Sequence, residues 1–241
     1  MKYKKTVEAR FIERPNRFIA RVELCGREEV VHVKNTGRCK ELLKEGVTVF
    51  LDEPEGKHRK TKYDLVAVIK KKANGEEMII NIDSQAPNDA VAQWLPVSGL
   101  FADNAKILRE VTFGNSRFDF AVTEPAGNDE DGATGEKITF VEVKGVTLEE
   151  GGIVMFPDAP TERGRKHLNE LARLVSEGYG AIVIFVVQMK GASGFKPNSK
   201  TDPEFASALE NARNSGVKIL AYDSVITPNE MKVDKPVKLI F

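Results

Sequence analysis

The segment Phe140-Val141-Glu142-Val143-Lys144 carries a carboxylate and an ammonium inside an apolar strand pattern. Its apolar residues do not alternate cleanly with polar ones, so it reads as a central strand covered on both faces. The two-residue period puts Glu142 and Lys144 on one face. Each is costly to bury there unless it is paired or bound to a metal. In the preceding predicted strand, Arg117-Phe118-Asp119-Phe120, Asp119 sits between two aromatics. Both aromatics are expected to face the other side of the sheet, leaving Asp119 beside Glu142. One strand earlier lies another acid, Glu110, in Arg109-Glu110-Val111.

Phosphodiester hydrolysis needs residues of these types. Hard oxygen ligands hold Mg2+ at about 2.1 Å and leave room for waters and a phosphate oxygen. The metal stabilises negative charge and makes a hydroxide nucleophile accessible, and a nearby cation offsets charge in the transition state. Asp119 and Glu142 are the candidate ligands for Mg2+ or Mn2+, and Lys144 is the candidate cation. Glu110 is a candidate catalytic acid, holding a second metal through water or orienting Lys144. A structural ion pair, Glu142 with Lys144 or Asp119 with Arg117, is the competing explanation, and for an isolated Glu-x-Lys it is the commoner one.

Further positive groups suggest a polyanionic partner. Pro160-Thr161 is predicted to start a helix with Thr161 as N-cap, and Arg163, Lys166 and His167 crowd its first two turns. Cations there oppose the helix dipole, so stability does not explain them, whereas a phosphate would. Pairing of Lys166 and His167 with acids such as Glu170, or packing of His167 within the fold, is the competing explanation. Asn35-Thr36-Gly37-Arg38 reads as a tight turn from which Arg38 can fork onto a phosphate. Lys60 and Lys71 lie in basic runs beside predicted strands, and Ser116 and Arg117 stand next to Asp119. Asn35, Arg38, Lys60, Lys71, Ser116, Arg117, Arg163, Lys166 and His167 are therefore the candidate nucleic-acid contacts. Phe18 and Tyr63, the aromatics that would stack on bases, read as core.

Bulk composition sets bounds on this picture. With 41% hydrophobic and 30% charged residues the chain is globular in composition. No apolar run approaches the ~18 residues that span a bilayer, so no membrane partner is expected. Cys25 and Cys39 lack CxxC spacing, which argues against a disulfide framework or zinc ribbon and for a reducing, cytoplasmic setting. The net charge is zero, but residues 1–84 hold 19 Lys and Arg against 14 Asp and Glu, leaving the remainder acidic. The basic half is the candidate footprint for nucleic acid. The sequence leaves open whether the protein is a monomer or a dimer.

These residues need two scaffolds. Strands are predicted at Thr6–Ile12, Arg17–Leu24, Glu29–Val33, Thr48–Leu51, Asp64–Ile69 and Met78–Ile82, with a short helix over Cys39–Lys44. That pattern predicts a small β-barrel of the OB type in residues 1–84. Residues 85–104 read as a linker holding one short helix near Asp89–Trp94. Residues 105–241 then run strand, strand, strand, helix, strand, helix, strand. The strands are Ile107–Phe113, Arg117–Val122, Ile138–Val143, Ala181–Val187 and Lys218–Tyr222, and the helices are Glu162–Ser176 and Pro203–Asn214. This is an α/β domain with a mixed central sheet. The overall class is α+β. The acidic stretch Glu124–Glu136 reads as a solvated hairpin tip, because the ligand spacing of a calcium loop is absent.

Asp119 followed by Glu142-Val143-Lys144, in this strand order, resembles the PD-(D/E)XK nuclease superfamily. Phe118 stands where the superfamily's name has proline. Four longer stretches are together similar to the sugar fermentation stimulation protein family: His32 to Arg38, Phe113 to Phe120, Glu142 to Leu148, and Phe156 to Leu168. The resemblance implies an OB-type N-terminal domain, a nuclease-like C-terminal domain and DNA binding. With phosphates as the main contacts, that binding is expected to be largely independent of sequence. It also implies a link to regulation of sugar metabolism genes, notably those for maltose. Two readings follow: a magnesium-dependent DNA phosphodiesterase, or a non-catalytic DNA-binding regulator that keeps the acids.

Overall fold

A computed structural model describes residues 1–35, 37–55, 59–72, 74–114, 116–125 and 135–241. The expected hairpin tip falls largely on 126–134, outside the described residues. The first half holds β1 (Thr6–Asn16), β2 (Ile19–Leu24), β3 (Arg27–Val33), β4 (Thr48–Asp52), β5 (Asp64–Lys71) and β6 (Glu77–Asn81). The Asn16 side chain accepts the amides of Phe18 and Ile19, which turns β1 into β2 where Pro15-Asn16 predicts it. The sheet runs β3-β2-β1-β4-β5-β6, and a parallel β3–β5 pairing at His32↔Asp64 and Val33↔Leu65 closes it on itself. Closure removes the free edges that β3 and β5 would otherwise present. β5 is buried along most of its length because it is covered twice. Leu65 and Val68 fill the barrel, while Val66 packs into the core of the second half.

The helix expected over Cys39–Lys44 is a turn. The amides of Leu42 and Leu43 both bond to the Cys39 carbonyl, at 3.1 and 2.9 Å, and Cys39 has φ of +46°. Leu42 and Leu43 are adjacent and both buried in the barrel core. A tight turn can direct neighbouring side chains inward, whereas a helix separates them by about 100°.

The second half begins with α1 (Ala86–Trp94) and continues through β7 (Lys106–Phe113), β8 (Ser116–Pro125), β9 (Glu136–Val146), β10 (Leu148–Glu150) and β11 (Ile153–Phe156). α2 (Glu162–Ser176), β12 (Gly180–Val187), β13 (Gly194–Pro197), α3 (Pro203–Asn214), β14 (Lys218–Thr227) and β15 (Glu230–Pro236) follow. The main sheet has the order β15-β14-β12-β9-β8-β7, with β12 parallel to β9 and β14 and the outer pairings antiparallel. It is the mixed sheet that the element order predicts. The pleat of β12 divides its apolar run between two layers. Ile182, Ile184 and Val186 meet α1, while Ala181, Val183 and Phe185 lie in the core that holds α2 and α3. β10, β11 and β13 form a small separate sheet, which the sequence pattern did not reveal.

The stretch read as a linker belongs to this second core. Ala86, Ala90, Val91 and Leu95 are buried with Phe120, Val122 and Val141. The two halves also share a buried polar knot. Gln188 Nε2 donates to the Asn81 and Asp83 carbonyls at 3.1 and 3.0 Å, and Asn81 Nδ2 donates to Tyr3 Oη at 2.8 Å. Lys34 donates to Asp83, which is fully buried, at 2.7 Å. Each of these groups depends on a partner from another segment, so separating the halves would leave buried polar atoms unsatisfied.

Gly145, directly after Lys144, makes this junction fit. A Cβ there would lie 2.4 Å from Gln188 Oε1 and 2.9 Å from Pro87 Cγ. Gln188 cannot retreat without losing the knot. Gly145→Ala is therefore expected to destabilise the protein by about 1–3 kcal/mol. A thermal melt should show a drop of roughly 2–12 °C, and an unchanged melting temperature would refute the close approach.

Candidate functional site

The main sheet splits where Asp119 stands. The β8–β9 ladder runs from Pro125↔Glu136 to Phe120↔Val141 and goes no further, while β9 continues along β12 to Val146. Phe118 and Phe120 would share a face on a regular strand. Here Phe118 lies in the core with α2 and Phe120 in the core with α1. The expectation that both aromatics face away from Asp119 on one side is thus corrected. β8 turns over at Asp119, and its carboxylate enters the gap. Oδ2 accepts the backbone amide of Val143 at 2.8 Å, a donor that β8 would otherwise have paired, and Oδ1 accepts from Asn88 Nδ2 of α1 at 2.7 Å. On the neighbouring strand Glu110 has φ of +55°. A non-glycine residue in that region stores roughly 1–3 kcal/mol of strain.

Glu142 reaches the same gap from β9 and is 3% exposed. Its Oε1 accepts from Lys144 Nζ at 2.5 Å and hydrogen-bonds to Nδ1 of His167 on α2. Its Oε2 is buried with no hydrogen-bond partner among the described residues. Burial, followed by the charge of Glu142, raises the pKa of Asp119. Burial also pushes Glu142 upward, but the His167 hydrogen bond and the Lys144 charge outweigh it, and the net shift is downward. Two neighbouring carboxylates with opposed shifts form an electrostatically loaded pair. An added cation would relieve both the repulsion and the unpartnered oxygen.

A polar cleft of about 480 Å³ opens over Asp119, lined by Ser84, Gln85, Asn88, Arg109, Glu110, Arg117 and Arg163 among others. The fold thus gathers Asp119, Glu110, Arg117 and Arg163 around one cleft. Glu142, Lys144 and His167 do not line it; Lys144 and His167 are joined to Glu142, whose charge acts on Asp119. Glu110 pairs with Arg117 across the β7–β8 hairpin and not with Lys144, so the orienting role expected for it falls away. His167 is buried against Glu142, which takes it out of reach of a phosphate. Ser116 is buried as well, with its hydroxyl unpartnered among the described residues. Asn35 is occupied in the turn, donating to the Ile82 carbonyl at 2.8 Å and accepting from the Gly37 amide at 2.7 Å.

Arg38 is exposed beside a second cavity, of about 620 Å³, that Arg14, Arg17 and Lys40 also line. Arg14 holds this turn by donating to the carbonyls of Asn35, Gly37 and Arg38. Lys166 and Lys60 are exposed. Lys71 lines a third cavity on the barrel and lies 3.8 Å from Glu77. The cleft over Asp119 does not include Arg38, Lys60 or Lys71. Phe18, read as core, is 46% exposed at the β1–β2 turn under Arg17. Asn88 and Arg109 were not legible as site residues, because neither lies in a charged run or a recognisable spacing.

A closed barrel joined to a mixed, split sheet with paired acids defines a two-domain α+β protein. Residues 12–82 match the family model for the SfsA N-terminal OB domain, and residues 85–230 match that for the sugar fermentation stimulation protein RE domain. The chain belongs to the sugar fermentation stimulation protein family. It is 52% identical over 232 residues to the sugar fermentation stimulation protein homolog of Desulfitobacterium hafniense (strain Y51), covering 96% of this chain and 95% of that one. It is 48% identical over 240 residues to the homolog of Clostridium beijerinckii, covering 100% of both. Among solved structures, Pyrococcus furiosus SfsA, described as in complex with Ca2+, superposes with a TM-score of 0.82 at 28% identity, over 100% of this chain and 98% of that one. No helix among the described residues is long and apolar enough to cross a membrane.

Proposed function

We propose that this protein binds DNA and cleaves it with a divalent-metal-dependent phosphodiesterase site at the split of the C-terminal sheet, in a PD-(D/E)XK nuclease-like domain. The observation that carries the reading is the buried, unpartnered Oε2 of Glu142 beside the Asp119 carboxylate. Among the described residues no three His, Cys, Asp or Glu side chains cluster tightly enough to enclose an ion. Two carboxylates alone carry this reading; Mg2+ and Mn2+ keep several waters and take further oxygens from a phosphate. The Ca2+ described for the Pyrococcus furiosus relative supports hard-cation binding here too. When bound, such an ion would supply Lewis-acid stabilisation of phosphate charge and a more acidic water. Asp119 and Glu142 would hold it, and Lys144 would offset charge developing on the phosphate. Arg117 and Arg163 would position the DNA backbone across the cleft. Arg38, Lys60 and Lys71 would add contacts on the barrel.

Incubation of linear, nicked, flap and single-stranded DNA, and of RNA, with Mg2+ or Mn2+ tests the enzymatic reading. Binding of metal and DNA with no cleavage of any substrate would favour the second reading, a DNA-binding regulator of sugar metabolism genes. The Lys144–Glu142 ion pair favours that alternative, since it already neutralises one acid. Phosphate contacts predict steep salt dependence in either case. Six or more of them would cost affinity about 10³-fold between about 50 and about 200 mM salt. Charge reversal at Arg38 or Arg163 should lower affinity for all sequences alike, as measured by fluorescence anisotropy. Salt-insensitive binding would refute the phosphate footprint.

A further inference from the structure

The two oxygens of Glu142 stand in different situations. Oε1 is engaged twice, by Lys144 and by His167, while Oε2 is not engaged among the described residues. The two donors are not equivalent. Lys144 lies two residues along the same strand on a flexible stem, so it moves with Glu142 and cannot fix it. His167 comes from a separate element and is 7% exposed. Its helix is pinned at its start. Thr161 Oγ1 accepts the Gly164 amide at 3.0 Å, and Asp202 accepts the Thr161 amide at 2.8 Å and an Arg165 nitrogen at 3.1 Å. A glutamate side chain has several rotatable bonds, and ordering it costs entropy at the moment a ligand binds. An anchored donor removes that cost in advance.

We propose that His167 is a positioning residue: its Nδ1–H holds Oε1 of Glu142 and thereby commits Oε2 as the oxygen offered to a divalent cation. This rests on the reading of Asp119 and Glu142 as metal ligands. Partners that orient a ligating carboxylate from behind are typically worth about 10–100-fold in metal affinity.

The test measures Mn2+ affinity of the full chain without DNA, by electron paramagnetic resonance of the free ion, with folding checked by circular dichroism. His167→Phe fills the site but cannot donate, and is expected to weaken Mn2+ binding about 10–100-fold. His167→Gln keeps a donor and is expected to recover most of the loss. Asn169→Ala, an exposed change on the same helix, should match the wild type. Should His167→Phe fail to fold, nuclear magnetic resonance of the wild type decides. The His167 Nδ1 proton should shift on adding Mg2+, and should not shift in Asp119→Asn. A folded His167→Phe protein that binds Mn2+ like the wild type, or an unmoved ring proton at saturating Mg2+, overturns the positioning role alone. A wild-type protein that binds no divalent cation overturns the metal reading itself, and this role with it.

Discussion

Asp119→Ala is expected to remove divalent-cation binding and cleavage together while the protein remains folded. Asp119 is the more exposed of the two acids, and it lies where β8 leaves β9. Its loss deletes one of two candidate ligands, and with it several kcal/mol of charge stabilisation, equivalent to a fall in cleavage of about 10³-fold or more. The structural cost is separate and smaller. Without the carboxylate the Val143 amide and the Asn88 side chain lose their acceptor, at about 1–3 kcal/mol for a buried unsatisfied group. Asp119→Asn retains an acceptor oxygen and the side-chain shape, so it should melt closer to the wild type while sharing the loss of metal. Affinity for DNA in the absence of metal should hold or rise, because a carboxylate that repels phosphate has gone. Isothermal titration with Mn2+ and a cleavage assay decide the matter. A folded Asp119→Ala protein that still binds Mn2+ at wild-type strength would rule out this residue as a ligand.

Much of this site could be read in advance from period and order. An acid and a lysine two residues apart share a face of a strand, and consecutive strands are usually neighbours, so Asp119 could come beside Glu142 and Lys144. The long strands were legible for the same reason. β12 is an unbroken apolar run because it is covered on both faces, and β1 and β2 are separated by a Pro-Asn turn. What escaped prediction depends on contacts between distant segments. The reversal of β8 at Asp119 needs the Val143 amide and Asn88, neither of which leaves a mark in local hydrophobicity. Residues 39–44 look helical by composition, but two adjacent leucines must both enter the barrel. β10, β11 and β13 are three or four residues long, too short for a period to register. His167 in the first turns of a basic helix suggested either a phosphate contact or a packed histidine, and the tertiary fold turns its ring inward onto Glu142.

Lys144→Ala should separate metal binding from turnover. In the wild type Lys144 and a bound cation would compete to neutralise Glu142, since both act on the same buried carboxylate. Removing the ammonium leaves that carboxylate with His167 alone, and breaking a buried pair from one side costs about 3–5 kcal/mol before relaxation. Lys144 is 15% exposed at its side chain, so water can offset part of that cost. A divalent ion can offset more. The melting temperature of Lys144→Ala should therefore start lower than that of the wild type and rise further on adding Mg2+. Cleavage moves the other way. A positive charge placed beside the developing phosphate charge is lost, and a positioned group of this kind contributes on the order of 10²-fold or more. Lys144→Arg restores the charge but not the compact ammonium, so it should recover stability more fully than rate. The combination to measure is thus a larger Mg2+-induced stabilisation with a slower reaction, from a thermal shift series and single-turnover cleavage. If Lys144→Ala cuts DNA at the wild-type rate, Lys144 serves only as the ion-pair partner of Glu142, and the charge-offsetting role assigned to it is wrong.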